Sequence, residues 1–122
     1  MGDRCMSQET QAILAGHLTA DEVAQLVVAA GKTAVSVRGM QRPEYKIVEF
    51  RQADGAWSAL NLFLDSWAAD DYAHVFTGPG TLATAECSPD NLGLLRSLVS
   101  ATGGMLRIDE SQPWMQISAA ES

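Results

Sequence analysis

The sequence predicts an α+β domain, an antiparallel sheet of about five strands with two main helices on one face. Three observations predict it. Two segments open with helix-capping residues and continue with apolar side chains at a 3.6-residue period, one from Thr19 and one from Ser88. Several short runs alternate apolar and polar residues, as half-buried strands do. The gaps between those runs are of hairpin length, which joins antiparallel neighbours. The expected order is α-β-β-β-(short helix or loop)-α-β-β.

A chain of 122 residues argues for one domain, expected over 7–119, with 1–6 as a disordered leader and Met6 as an alternative start. Residues 7–18 are expected to form a short helix between Ser7 as N-cap and Gly16 as stop. The next helix starts at a capping box, Thr19-Ala20-Asp21-Glu22, in which the Thr19 hydroxyl accepts from the Glu22 N–H and the Glu22 carboxylate reaches back. Val23, Leu26, Val27 and Ala30 give its apolar stripe, and Gly31 supplies the terminus.

Strands are expected over 34–40, 44–52 and 57–65. In the second, Lys46, Val48 and Phe50 share one side, and Tyr45, Ile47, Glu49 and Arg51 the other. In the third, Leu60, Leu62 and Leu64 oppose Trp57, Ala59, Asn61, Phe63 and Asp65. Asp54-Gly55 suits the turn between these two strands. Ser66 caps a helical turn, 77–81 is loop, and 82–87 is a short strand or extension. Ser88, Pro89 and Asp90 then open a helix as N-cap, first-turn proline and dipole-compensating carboxylate. Leu92, Leu95, Leu98, Val99 and Thr102 face its core, and Gly103-Gly104 end it. Strands at 105–110 and 114–118 follow. Helix, glycine, strand, loop and proline recur between Asp21 and Pro43 and between Asp90 and Pro113, which reads as two α-β-β units, the first with an extra strand.

The net charge is −7, which excludes a generic binder of nucleic-acid backbones, since such affinity comes from Lys and Arg neutralising phosphates. The charge is unevenly placed. Residues 1–51 hold six basic and six acidic groups, whereas 52–122 hold only Arg96 and Arg107 against nine acids. The acidic second part favours encounter with a basic protein surface. Lys32, Arg38, Arg42, Lys46 and Arg51 gather over the first hairpin, either as a solvated edge or as a contact surface.

No apolar stretch reaches the 18 or so residues that a membrane helix needs, and the N-terminus has no secretory h-region. A cytoplasmic location is expected, and at this size nothing demands a disulfide between Cys5 and Cys87. His17, His74, Cys5 and Cys87 follow no metal-ligand spacing, so neither metal nor cofactor is expected. Asp70 and His74 stand one helical turn apart, the spacing of an ordinary surface pair. Asp70-Asp71 does not form an acid–base couple, because successive side chains on a helix diverge by about 100°. Gly78-Pro79-Gly80-Thr81 lacks the lysine and spacing of a phosphate loop and reads as a turn. Cys87, just before a helix N-terminus that lowers thiol pKa, suggests a thiol nucleophile assisted by His74 and Asp90, although no oxyanion donors can be located.

The segment from Asp65 to Phe76 mixes aromatic and acidic residues in a connection. Aromatics are enriched at interface cores and connections carry function, so Asp65, Trp67, Asp70, Asp71 and Tyr72 are the candidate partner-binding residues. The alternative is that its aromatics close one end of the core.

In element order, size and acidity the chain is similar to secretion chaperones and related dimeric adaptors, a likeness of architecture rather than of motif. Small acidic immunity proteins and phage-encoded inhibitors share these gross features. The expectation is a non-enzymatic module (inhibitor, immunity-type protein or adaptor) that binds a protein with a basic surface. A homodimeric chaperone-like adaptor and a small thiol-dependent enzyme or ligand-binding domain are the alternatives.

Overall fold

The computed structural model describes residues 9–39, 45–52, 54–64, 75, 80–108 and 113–117. Its elements are β1 (Glu9–Ala15), α1 (Ala20–Ala29), β2 (Thr33–Gly39), β3 (Tyr45–Arg51), β4 (Trp57–Phe63), β5 (Gly80–Glu86), α2 (Pro89–Thr102), β6 (Gly104–Arg107) and β7 (Met115–Ile117). All seven strands join one sheet, in the order β2-β3-β4-β5-β1-β6-β7. Every neighbouring pair is antiparallel. The α+β class holds, with a sheet larger than expected.

The largest correction concerns the first element. The segment expected to be a helix is β1, at the centre of the sheet between β5 and β6. Ala12 and Leu14 are buried beneath the helices, while Ile13 is buried on the opposite face against Leu82. A strand covered on both sides shows an unbroken apolar run, which periodicity cannot separate from a buried helix. Its polar residues are also buried and satisfied. The Thr10 hydroxyl donates to the Arg107 carbonyl at 2.9 Å, and Gln11 Oε1 accepts from Arg107 Nε at 2.9 Å and from its Nη2.

Both helices begin as the sequence dictates. Thr19 caps α1 through the full capping box, with the Thr19 N–H donating to Glu22 Oε1 at 2.9 Å and the Glu22 N–H to Thr19 Oγ1 at 3.1 Å. Ser88 caps α2, with Pro89 at its start. Both pack on the same face. Val23 and Val27 of α1 and Leu92, Leu95, Leu98 and Val99 of α2 form one core with Val48, Phe50, Leu60, Leu62, Ala83, Ala85 and Leu106. Thr81 ties the β1–α1 connection to β5, its hydroxyl accepting from the Leu18 N–H at 3.1 Å and donating to the Gly16 carbonyl at 2.9 Å.

The paired α-β-β units are not equivalent in the sheet. After α2 the chain enters β6, beside central β1, whereas after α1 it enters β2 at the far edge. The likeness between the two stretches is therefore local, a helix followed by a hairpin. Among the described residues no helix is long and apolar enough to cross a membrane.

Candidate functional site

The sheet face opposite the helices is built from alternate residues. Tyr45, Ile47, Glu49 and Arg51 of β3 stand in register with Phe63, Asn61, Ala59 and Trp57 of β4. Beyond them lie Leu82, Thr84 and Glu86 of β5 and Ile13, Gln11 and Glu9 of β1. A small second core gathers here, with Ile13 and Leu82 buried beneath Phe63, Val75, Met105 and Trp114. No described helix covers this face.

Its side chains are organised by paired contacts. The Tyr45 and Phe63 rings meet edge-on with centroids 4.9 Å apart, and the Tyr45 hydroxyl donates to Asn61 Oδ1 at 3.0 Å. The Arg51 guanidinium lies 4.7 Å from the Trp57 ring centroid and that of Arg107 lies 4.8 Å from Trp114, a favourable cation–π geometry. Arg38 meets Glu49 at 3.5 Å. Trp57 remains 58% exposed, an unusual place for so large an apolar ring.

The β4–β5 ladder comprises only Asn61↔Thr84, Leu62↔Ala83 and Phe63↔Leu82. Continued in register, it would join Leu60 to Ala85 and Ala59 to Glu86. Instead β4 stays with β3 back to Trp57, and β5 stays with β1 out to Glu86. The sheet forks here. Asn91 of α2, 2% exposed, closes the fork from the helix side. Its Nδ2 donates to the Glu86 carbonyl at 2.9 Å, and its Oδ1 accepts from the Ser58 hydroxyl at 3.1 Å. On the helix-free side the fork opens as a groove of about 390 Å³, lined by Glu49, Trp57, Ser58, Ala59, Asn61 and Glu86.

The phase of the β3–β4 hairpin sets what backbone the groove meets. Gln52 N–H donates to the Ala56 carbonyl at 2.8 Å. Hydrogen-bonded pairs alternate along an antiparallel ladder, so Ser58 and Leu60 bond back to β3. The N–H and C=O groups of Trp57 and Ala59 therefore point toward the fork.

The partner-binding residues expected from the sequence, Asp65, Trp67, Asp70, Asp71 and Tyr72, lie outside the described residues, as does His74. Of the same connection Val75 is described, and it packs on the helix-free face. Asp54, Glu86 and Asp90 are exposed, and the other acids of the second part lie outside the described residues. The basic hairpin residues do not form one patch. Arg38 and Arg51 stand on the helix-free face, in register with Ile47 and Trp57. Lys46, opposite Leu62, and Lys32, whose Nζ is 6.0 Å from the Phe50 ring centroid, belong to the helix side. Arg42 lies outside the described residues.

Cys87 is disulfide-bonded, in a bridge that the size of the domain allows without demanding, so it presents no thiolate for nucleophilic attack. Asp90, the third member of that expected group, is an exposed first-turn residue of α2. Among the described residues, no three or more His, Cys, Asp or Glu side chains gather as metal ligands do.

Trp57, Glu49, Asn61 and Glu86 were not among the sequence's candidates. The signal for three of them was present. A strand that places Trp and Asn opposite a Leu60–Leu62 stripe, beside a strand whose matching side carries Tyr, Glu and Arg, marks a face unlike a solvated one. Comparison with protein-family models, with curated proteins and with solved structures gives no match to this chain.

Proposed function

We propose that this chain is a non-enzymatic protein-binding module, an inhibitor, immunity-type protein or adaptor, whose partner presents a basic surface. The reading is carried by the helix-free face, where exposed Trp57 stands over a groove flanked by the Glu49 and Glu86 carboxylates. Tryptophan and tyrosine dominate the energetics of interface cores. Among the described residues the groove lining carries the Glu49 and Glu86 carboxylates, with Arg38 paired to Glu49 and Arg51 stacked on Trp57 at its margin, in a chain whose net charge is −7. Asp65, Trp67, Asp70, Asp71 and Tyr72 are proposed to extend the same surface, a reading supported by Val75, which rests on that face.

The test is capture from native host lysate at low salt with the tagged full chain, read by quantitative mass spectrometry. Two triple variants are compared with the parent chain, Trp57→Ala with Glu49→Lys and Glu86→Lys, and Asp65→Lys with Asp70→Lys and Asp71→Lys. A basic protein retained by the parent and lost from the variants supports the module. Identical capture by all three chains rejects it.

A homodimeric, secretion-chaperone-like adaptor is the second reading. Its support is edge strand β2, exposed along most of its length, together with Val37 at 37% exposure and Val28 of the overlying α1 at 55%. Light scattering that finds only the 13.0 kDa monomer at high concentration removes it.

A further inference from the structure

We infer that the β4–β5 fork takes up an extended peptide segment carrying a lysine or arginine, bound as an added strand along β4. The inference rests on the protein-binding reading above and specifies its site and the chemistry of the occupant.

Three features of the groove converge on such a segment. The first is backbone. The ladder stops at Asn61↔Thr84, so the N–H and C=O of Ala59 face an opening where the register would have placed Glu86. Peptide groups at an open strand edge recruit another strand through main-chain hydrogen bonds, while pockets for alternate side chains give selectivity. Asn91 already satisfies the Glu86 carbonyl from the helix side, so that carbonyl is not left to pair with the Ala59 edge.

The second is charge. Glu49 stands on the β3–β4 side of the groove and Glu86 on the β5 side, both in its lining. A cationic side chain of the incoming segment would lie between two carboxylates contributed by different strands. Glu49 meets Arg38 in a pair whose side chains are 64% and 35% exposed. Exposed pairs of this kind contribute little, so exchanging Arg38 for a ligand cation costs little.

The third is the exposed ring of Trp57. Alternate residues of an added strand would project to the helix-free face, as their neighbours in β4 do. A long aliphatic or guanidinium side chain there covers the exposed part of the indole while its charge reaches the carboxylates.

The test uses the full chain and a defined probe, the acetylated and amidated hexapeptide Lys-Val-Lys-Val-Lys-Val. Controls are its Glu-Val counterpart and a version N-methylated at alternate residues, which removes the donors of one edge. Binding is followed by tryptophan fluorescence and by amide chemical shifts at low salt. Saturable binding of the Lys-Val probe is expected, with the largest shifts at Ala59 and Glu86 and loss of binding on N-methylation. Glu86→Lys, an exposed position, should weaken binding about tenfold while leaving the rest of the amide spectrum unchanged.

No saturation into the millimolar range overturns the inference. So do shifts that bypass 57–61 and 85–86, equal binding of the Glu-Val peptide, or undiminished binding of the N-methylated probe. Failure of the probe alongside retained capture of the native partner by the parent chain, lost in the variants above, removes the strand-addition site and leaves the protein-binding reading standing.

Discussion

The side-chain amide of Asn91 donates to the backbone carbonyl of Glu86 at 2.9 Å, joining the first turn of α2 to the end of β5. The same side chain accepts from Ser58 on β4, so one buried residue spans two strands that no longer pair. Asn91→Ala strands the Glu86 carbonyl and the Ser58 hydroxyl together. An unpaired buried polar group costs about 1–3 kcal/mol, and urea denaturation should show a loss of roughly that size. Ser58→Ala, which leaves the Glu86 bond intact, should cost less, and the two substitutions together should cost less than their sum.

Two glycines should respond in opposite senses. Gly104 has φ of +150°, and a Cβ there would overlap the carbonyl oxygen of Ile13 on central β1. Gly104→Ala should destabilise by about 3 kcal/mol through overpacking and backbone strain. Gly93 lies exposed within α2 with nothing near its would-be Cβ. Gly93→Ala should therefore stabilise by about 0.5–1 kcal/mol, the helix-propensity difference. Thermal melts of the two variants check both signs.

Ser100 of α2 is 3% exposed, and its hydroxyl oxygen has no hydrogen-bond partner among the described residues. Removing a buried, unsatisfied hydroxyl removes its desolvation cost, and alanine is the better helix former. Ser100→Ala should raise the urea midpoint, by about 0.5–1 kcal/mol in unfolding free energy. A lower midpoint would mean that the hydroxyl has a partner.

Trp57 separates binding from stability. Its exposed ring stacks with Arg51, and the core beneath β4 is made by Leu60 and Leu62. Trp57→Ala should change stability by about 1 kcal/mol or less, the scale of an exposed cation–π contact. It should weaken partner capture by far more, since aromatic anchors account for 2 kcal/mol or more at interface hot spots. Denaturation and a quantitative pull-down on the same variant compare the two effects.

The helices were legible because their start signals are local. The hydrogen bonds of the Thr19–Glu22 box and of the Ser88 cap close within one turn, and no distant residue is needed to read them. The inward sides of β3 and β4 were legible for a similar reason, since Val48, Phe50, Leu60 and Leu62 alternate with residues of the other face. β1 was not. Its identity depends on Gly80–Glu86 and Gly104–Arg107, far along the chain, and burial on both faces erased its period. The fork was illegible as well, because no local pattern states where two strands cease to pair. Asn91 reaches across it from α2 to both strands, and in the sequence that asparagine reads only as part of a helix start. The connection from 65 to 74, where composition pointed, lies outside the described residues.

The position of β1 bears on how the chain is made. Translation delivers β1 before either of its neighbours, β5 and β6. While β2, β3 and β4 close as consecutive hairpins during synthesis, the Ala12–Leu14 run waits without a partner. Pairings so distant in sequence form slowly and leave apolar strands open to aggregation in the interval. Only when Gly80–Glu86 has left the ribosome can β5 join β1 to the β2–β4 meander, and the other side of β1 stays open until Gly104–Arg107 follows.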